Sequence, residues 1–409
     1  MERCGSDTAR AHDLGALRLL NPNLRRVLPA YLALLFWNAT FSISITGPVM
    51  PLYVEALGIS IVDWGVLAAV SAVGMFLFEW VWGSVSDRTD SSSLMALDAL
   101  CMSAIFALYT LHNSFLFFAV LQLFAGAFGV MIGPTTRAYI SEESPAKSVG
   151  LYVTLWWAFS ALGRVIGPLA GTYIAQAWSF KYSFYASSIL SVLLAIMVFA
   201  SFPRNRQRTR TSSGIISNAR FILHGRSAWY LFLAAVFAMM GFSAIQTFLP
   251  IYASGQAKMS TVEIGALIAT FAAVQLVAMP LLGWLSDKFS QKRIVVAGLA
   301  ISTCSFLLYF IAGSSYQIFL VSVAVGVGLS GTSLLLAMIP DVAPKTMYGT
   351  AIGLYGSFED LGVILGPLFY GFVWSTTSPV YVFAASSFTQ VLCAVLVLAI
   401  EQKRRGQYL

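Results

Sequence analysis

The strongest constraint on this chain is a succession of apolar stretches, each of about 20 residues or more, separated by short polar breaks. A helix of about 20 apolar residues spans the roughly 30 Å hydrocarbon core of a bilayer. Twelve such stretches run over 27–54, 62–83, 94–112, 115–139, 148–176, 182–201, 228–253, 262–284, 293–312, 315–339, 348–375 and 379–400. Within hydrocarbon every backbone polar group must be bonded internally, so only helices and closed barrels can cross. Barrel strands alternate over about 10 residues, whereas these runs are continuous and rich in Ala, Leu and Gly. The expectation is an all-α integral membrane protein. Charged residues make up 10% of the 409, against about 25% in a soluble domain, which leaves too little charge to coat soluble cores.

The placement of charge gives the topology. With both termini on one side, 21 of the 24 Lys and Arg fall on that side, two (Lys181 and Lys258) on the other, and Arg164 inside a span. Cytoplasmic loops collect positive charge, so both termini are expected in the cytoplasm and the net charge of +7 marks orientation, with no nucleic-acid partner implied. The first 26 residues carry Arg3, Arg10, Arg18, Arg25 and Arg26 and lead into an apolar run too long for a signal-peptide core. That N-terminus is expected to be retained. Cys101, Cys304 and Cys393 lie in apolar runs and Cys4 stands apart, a spacing that suggests neither a disulfide frame nor a metal site. His12, His112 and His224 suggest none either.

The two halves repeat at an offset of 199 or 200 residues. Pro51-Leu52-Tyr53 returns as Pro250-Ile251-Tyr252, Asp63-Trp64-Gly65 as Glu263-Ile264-Gly265, and Gly83-x-x-x-Asp87 as Gly283-x-x-x-Asp287. Gly126 returns as Gly326, and Gly163-x-x-x-Gly167-Pro168 as Gly362-x-x-x-Gly366-Pro367. Five matches in order indicate a duplicated six-helix unit. The expected organisation is a cytoplasmic tail (1–26), a first six-helix bundle (27–201), a cytoplasmic linker (202–227), a second bundle (228–400) and a C-terminal tail (401–409).

Gly83-Ser84-Val85-Ser86-Asp87-Arg88 after the second span, and Gly283 through Asp287, Lys288 and Arg293 after the eighth, resemble the loop signature of the major facilitator superfamily. Gly163-x-x-x-Gly167-Pro168-x-x-Gly171 in the fifth span resembles the signature of its drug:proton antiporter branch. The resemblance covers nearly the whole chain. It implies twelve transmembrane helices in two pseudo-symmetric six-helix bundles, alternating access, and no enzymatic activity or cofactor. It also implies a conformational latch at Gly83, Asp87, Arg88, Gly283 and Asp287. The first copy departs from the pattern after Arg88, where Thr89-Asp90-Ser91 replaces Gly and basic residues.

Two groups of residues then stand out. Gly163, Gly167 and Gly171 form a small-residue stripe with Pro168 as a kink point, and Gly362, Gly366, Pro367 and Gly371 nearly repeat it, which lets helices approach closely and bend. A charge inside a span costs roughly 2.5–3.5 kcal/mol on insertion scales and marks function. Glu79, Glu359, Asp360 and Arg164 are such charges. In the superfamily fold the second and eleventh helices face each other, which would bring Glu79 to Glu359 and Asp360. Carboxylates gathered in a low-dielectric cleft cannot all carry charge, so the three are the candidate proton-coupling site. Arg164 could pair with one of them or hold an anionic substrate group.

Trp37, Asn38 and Thr46 on the first span, Gln122 on the fourth, Trp156 and Trp157 on the fifth, Gln246 on the seventh, Gln275 on the eighth, and Tyr355 and Phe358 on the eleventh complete the candidate substrate cavity. Such a lining suits a small amphipathic molecule. Gln122 stands where proton-coupled relatives commonly carry Arg, and the first span has no acidic residue. Two readings follow: proton-coupled efflux of small amphipathic molecules by a monomer in the cell membrane, or an uptake system or uniporter for a small anionic metabolite held by Arg164.

Overall fold

The computed structural model describes residues 22–86, 89–143, 149–201, 215–344 and 347–401, and every regular element among them is helical. The first span comprises α1 (Pro22–Ser44) and α2 (Val49–Ala56), followed by α3 (Ile61–Ser86) and α4 (Ser91–Leu108). A fourth span is split into α5 (Phe115–Gly129) and α6 (Ile132–Glu143), and α7 (Val149–Ala177) and α8 (Phe180–Ser201) complete the first set. A short α9 (Ile215–Leu223) lies in the linker region. The second set contains α10 (Arg226–Gly255), α11 (Thr261–Lys288) and α12 (Gln291–Leu308). Its tenth span is α13 (Ser315–Ser330), a 3-10 segment (Gly331–Met338) and α14 (Ile339–Val342), followed by α15 (Tyr348–Thr376) and α16 (Tyr381–Ala399). Among the described residues nine helical stretches are long and apolar enough to cross a membrane. The shorter apolar helices Ser92–Leu108 and Phe115–Gly129, with the 29-residue α7, bring the spans to twelve.

Several repeated sequence motifs are helix starts. Ser60 Oγ accepts from the Asp63 amide at 3.1 Å and opens α3; Ser260 Oγ accepts from the Glu263 amide at 3.3 Å while Glu263 accepts from the Ser260 amide at 2.7 Å, a full capping box opening α11. Asp90 accepts from the Ser93 amide to start α4, and Ser314 with Gln317 starts α13. These caps satisfy amides that have no partner within the helix.

The apolar runs at 27–54, 115–139 and 315–339 read as continuous, but the helices in all three are interrupted. The first breaks between Ser44 and Val49, where Pro48 offers no amide hydrogen and biases Gly47 away from helix. The fourth breaks between Gly129 and Ile132, and the tenth tightens to 3-10 geometry from Gly331, equivalent points of the repeat. The seventh span, by contrast, runs unbroken through α10.

Packing follows the duplication. In the first bundle α1 lies against α7 and α8, α3 against α5, and α4 against α8; in the second, α10 lies against α15 and α16, α11 against α13, and α12 against α16. Each bundle has an aromatic core at matched positions: Tyr53, Tyr109, Phe118 and Phe184 in one, Tyr252, Tyr309, Ile318 and Phe383 in the other. The bundles meet along two seams, α3 with α15 and α7 with α11.

Candidate functional site

α7 and α15 rest on the first helix of their own bundle through glycine. A Cβ added at Gly163 would meet Leu35 O at 2.5 Å and Asn38 Cβ at 2.7 Å; one at Gly167 would meet Ala39 O at 2.6 Å, and Gly171 abuts the Ile43 carbonyl. In the second bundle Gly362 abuts the Val236 carbonyl, with Met239 Cβ at 2.8 Å, and Gly366 abuts Ser243. These backbones are closer than any side chain permits, the geometry a small-residue stripe allows.

The two seams are tight at one end of the molecule. A Cβ at Gly65 of α3 would meet Pro367 O of α15 at 2.6 Å, and one at Gly265 of α11 would meet the Thr172 side chain and Pro168 O of α7. Trp64 Nε1 donates to Thr247 O at 2.9 Å, and the Val262 amide donates to Gln176 Oε1 at 3.0 Å. At the opposite end the loop-signature Gly283, together with Gly349 and Gly353 of α15, would meet nothing within 4 Å. Gly283 thus makes no close helix approach in this structure. Gly83 lies near the end of α3; Asp87 and Arg88, and the side chain of Asp287, lie outside the described residues.

Between the tight and open ends, α3 and α15 bring three carboxyl groups together. Glu79 reaches Asp360, the two carboxyls within hydrogen-bonding range, and also faces Glu359. The Tyr355 hydroxyl faces Glu359 from one turn away. Glu79 is exposed, whereas Asp360 Oδ2 is buried with no hydrogen-bond partner among the described residues. Arg164 stands on α7 beside Gly163 and does not pair with this cluster; its Nε is buried and makes no hydrogen bond among the described residues.

The aromatic and polar candidates divide. Trp157 is exposed and meets Trp156 edge-on at 4.8 Å, Thr46 is exposed, and Gln246 is half-buried. Gln122 and Gln275 are buried, and Asn38, also buried, donates to Leu34 O and packs on Gly163. Phe358 turns into the second bundle, stacked on Phe232 at 5.2 Å with Trp229 edge-on. Trp37 is half-buried and donates its indole N–H to Asp98 Oδ2 at 2.6 Å. Asp98, fully buried, is a charge inside a span that the selection from sequence passed over, although the same cost criterion applied to 94–112 would have found it. Among the described residues no group of His, Cys, Asp or Glu forms a metal site.

Two bundles of six helices, joined by seams between the second and eleventh and the fifth and eighth spans, with intramembrane charges beside those seams, define a multi-pass membrane transporter. The sequence profile of the Major Facilitator Superfamily matches residues 32–265 and again 231–407, and the chain belongs to that superfamily. It is 26% identical over 368 residues to the multidrug resistance protein MdtG of Dickeya zeae, covering 84% of this chain and 86% of that protein. Its fold is similar to that of a bacterial homologue of the human lysosomal transporter Spinster, crystallised inward-facing and unoccupied (TM-score 0.75, 16% identity, 93% of this chain and 95% of that one). It is also similar to that of the nucleoside transporter NupG (TM-score 0.79, 11% identity, 93% and 100%).

Proposed function

We propose that this transporter exports small amphipathic organic molecules in exchange for protons, by alternating access of two units, 27–201 and 228–400, with both termini in the cytoplasm. The observation that carries the reading is the meeting of Glu79 with Glu359 and Asp360 across the α3–α15 seam. Two carboxyl groups at hydrogen-bonding range satisfy each other only when one holds a proton. Because the cluster spans two bundles, proton binding and the relative position of the bundles are linked. Similarity to multidrug resistance proteins supports an amphipathic cargo. With the positive-inside orientation the open end at Gly283 faces the cytoplasm, the side from which an exporter loads.

Arg164 supports a second reading. A half-buried guanidinium whose Nε is buried, with no anionic partner among the described residues, is suited to an anionic group on the cargo, as in an uptake system or uniporter. Proteoliposomes loaded with cationic, neutral or anionic amphipathic dyes separate the two. In the exporter, an imposed pH gradient drives dye movement, and Glu359→Gln or Asp360→Asn lowers it at least ~10-fold, about 1.4 kcal/mol, while the protein still folds. Unchanged proton-driven flux in both variants would refute the site. Exchange that ignores pH and is lost for anionic dyes alone in Arg164→Ala would establish the second reading.

A further inference from the structure

We infer that Asp98 is a second proton-binding carboxyl, placed in the first bundle away from the α3–α15 seam, with Trp37 as the donor that exchanges with its proton. Asp98 is fully buried on α4, and its only hydrogen bond among the described residues is the one from the Trp37 indole to Oδ2; Oδ1 is buried and has no partner there. An ionised carboxylate accepts at several lone-pair positions. Here it receives one neutral donor, an arrangement suited to a group that passes between charged and neutral forms.

The surroundings offer no compensating charge among the described residues. On its own helix the nearest ionisable group is Cys101. Along α8, Ser188 meets Ser103 of α4, and that helix's ionisable residues, Lys181, Tyr182 and Tyr185, gather at its opposite end, where Tyr185 bonds Thr110. α5 has no ionisable residue along its length. From α6, Tyr139 shares a core cluster with Met95 and Ala99, while the side chains of Arg137, Glu142 and Glu143 lie outside the described residues. On α1, Tyr31 donates to Tyr152 O.

The duplication shows that the fold itself does not require the pair. Asp98 is the eighth residue of α4, as Gly298 is of α12. Gly163 rests on Leu35 and Asn38 as Gly362 rests on Val236 and Met239, so Trp37 corresponds to Ala238. The second bundle closes the same helix positions with Ala238 and with Gly298 packed on Gly328 and Gly331. A carboxyl and an indole thus replace two small residues.

When Asp98 is ionised a charge-assisted bond holds the indole N–H inward; when it is protonated that bond weakens, and Trp37 turns more easily. Trp37 stacks on Phe41 at 4.9 Å, and both rings pack against Gly129, so such a turn would change an aromatic surface on the first span. Proton binding at Asp98 would thereby be coupled to aromatic contacts with the cargo.

pH-difference infrared spectroscopy on the purified full chain, from about pH 9 to about pH 5, reads carboxyl protonation directly. The background is the Glu359→Gln/Asp360→Asn double variant, which removes the second-bundle pair, so that this inference and the proposed coupling site fail separately. A protonated-carboxyl band growing in as pH falls, absent in Asp98→Asn and retained in Asp98→Glu, is the expected result. In Trp37→Phe the midpoint should move to higher pH by about one unit, because the ionised form loses its donor. A band pattern and midpoint unchanged by Asp98→Asn and by Trp37→Phe, in protein that elutes as folded, would overturn the inference. If Asp98→Asn does not fold, the Trp37→Phe midpoint alone decides.

Discussion

The fifth and eleventh spans are built on one frame and furnished with opposite charge. α7 sets Gly163 and Gly167 against the first span, and α15 sets Gly362 and Gly366 against the seventh. Beside that frame α7 carries Arg164, one residue after Gly163, while α15 carries Glu359 and Asp360 just before Gly362. The glycines answer a demand of packing, which both halves share; the charges, which that packing does not require, differ between them. Arg164 is a lone cation on α7 among the described residues, whereas Glu359 and Asp360 of α15 meet Glu79 of α3.

If the glycine frame is common, breaking it should cost the same in either half. Gly163→Val and Gly362→Val each drive a side chain into a main-chain carbonyl, and overpacking of this kind costs roughly 1–3 kcal/mol or more. Both variants should melt well below the parent in a thermal-shift assay, by similar amounts. A large drop in only one would show that the two helices are held differently. Arg164→Ala and Asp360→Asn should leave the melting temperature almost unchanged.

Gly283→Ala tests the smallest effect. Its added methyl meets open space, so stability should stay within about 0.5 kcal/mol of the parent. Transport should slow if the conformation with that end closed needs the glycine, and be unchanged if it does not. A marked loss of stability would mean that the end at Gly283 is packed rather than open.

Much of the architecture was legible in the sequence because hydropathy and glycine spacing encode it directly. The twelve runs, the repeat and the Gly163 and Gly362 stripes follow from physics that acts along one helix at a time. The meeting of Glu79 with Glu359 and Asp360 followed from the resemblance. Less legible were the features that depend on two helices at once. Hydropathy ran through the break at Thr46-Gly47-Pro48, although Pro48 is a signal for it. Phe358 was placed in a cavity by its helix, yet Trp229 and Phe232 draw it into the second bundle's core. Asp98 was passed over among apolar neighbours, and its pairing with Trp37 joins spans that no local pattern connects.

The central claim is that the carboxyls at the α3–α15 seam, and not the α7 half of the frame, carry the proton exchanged for cargo. Counting protons released when ethidium, a cationic amphipathic dye, binds the purified protein in weakly buffered solution tests it most directly. About one proton per dye bound should be released by the parent and by Arg164→Ala, and clearly less by Asp360→Asn. Undiminished release from both Asp360→Asn and Glu359→Gln would contradict it.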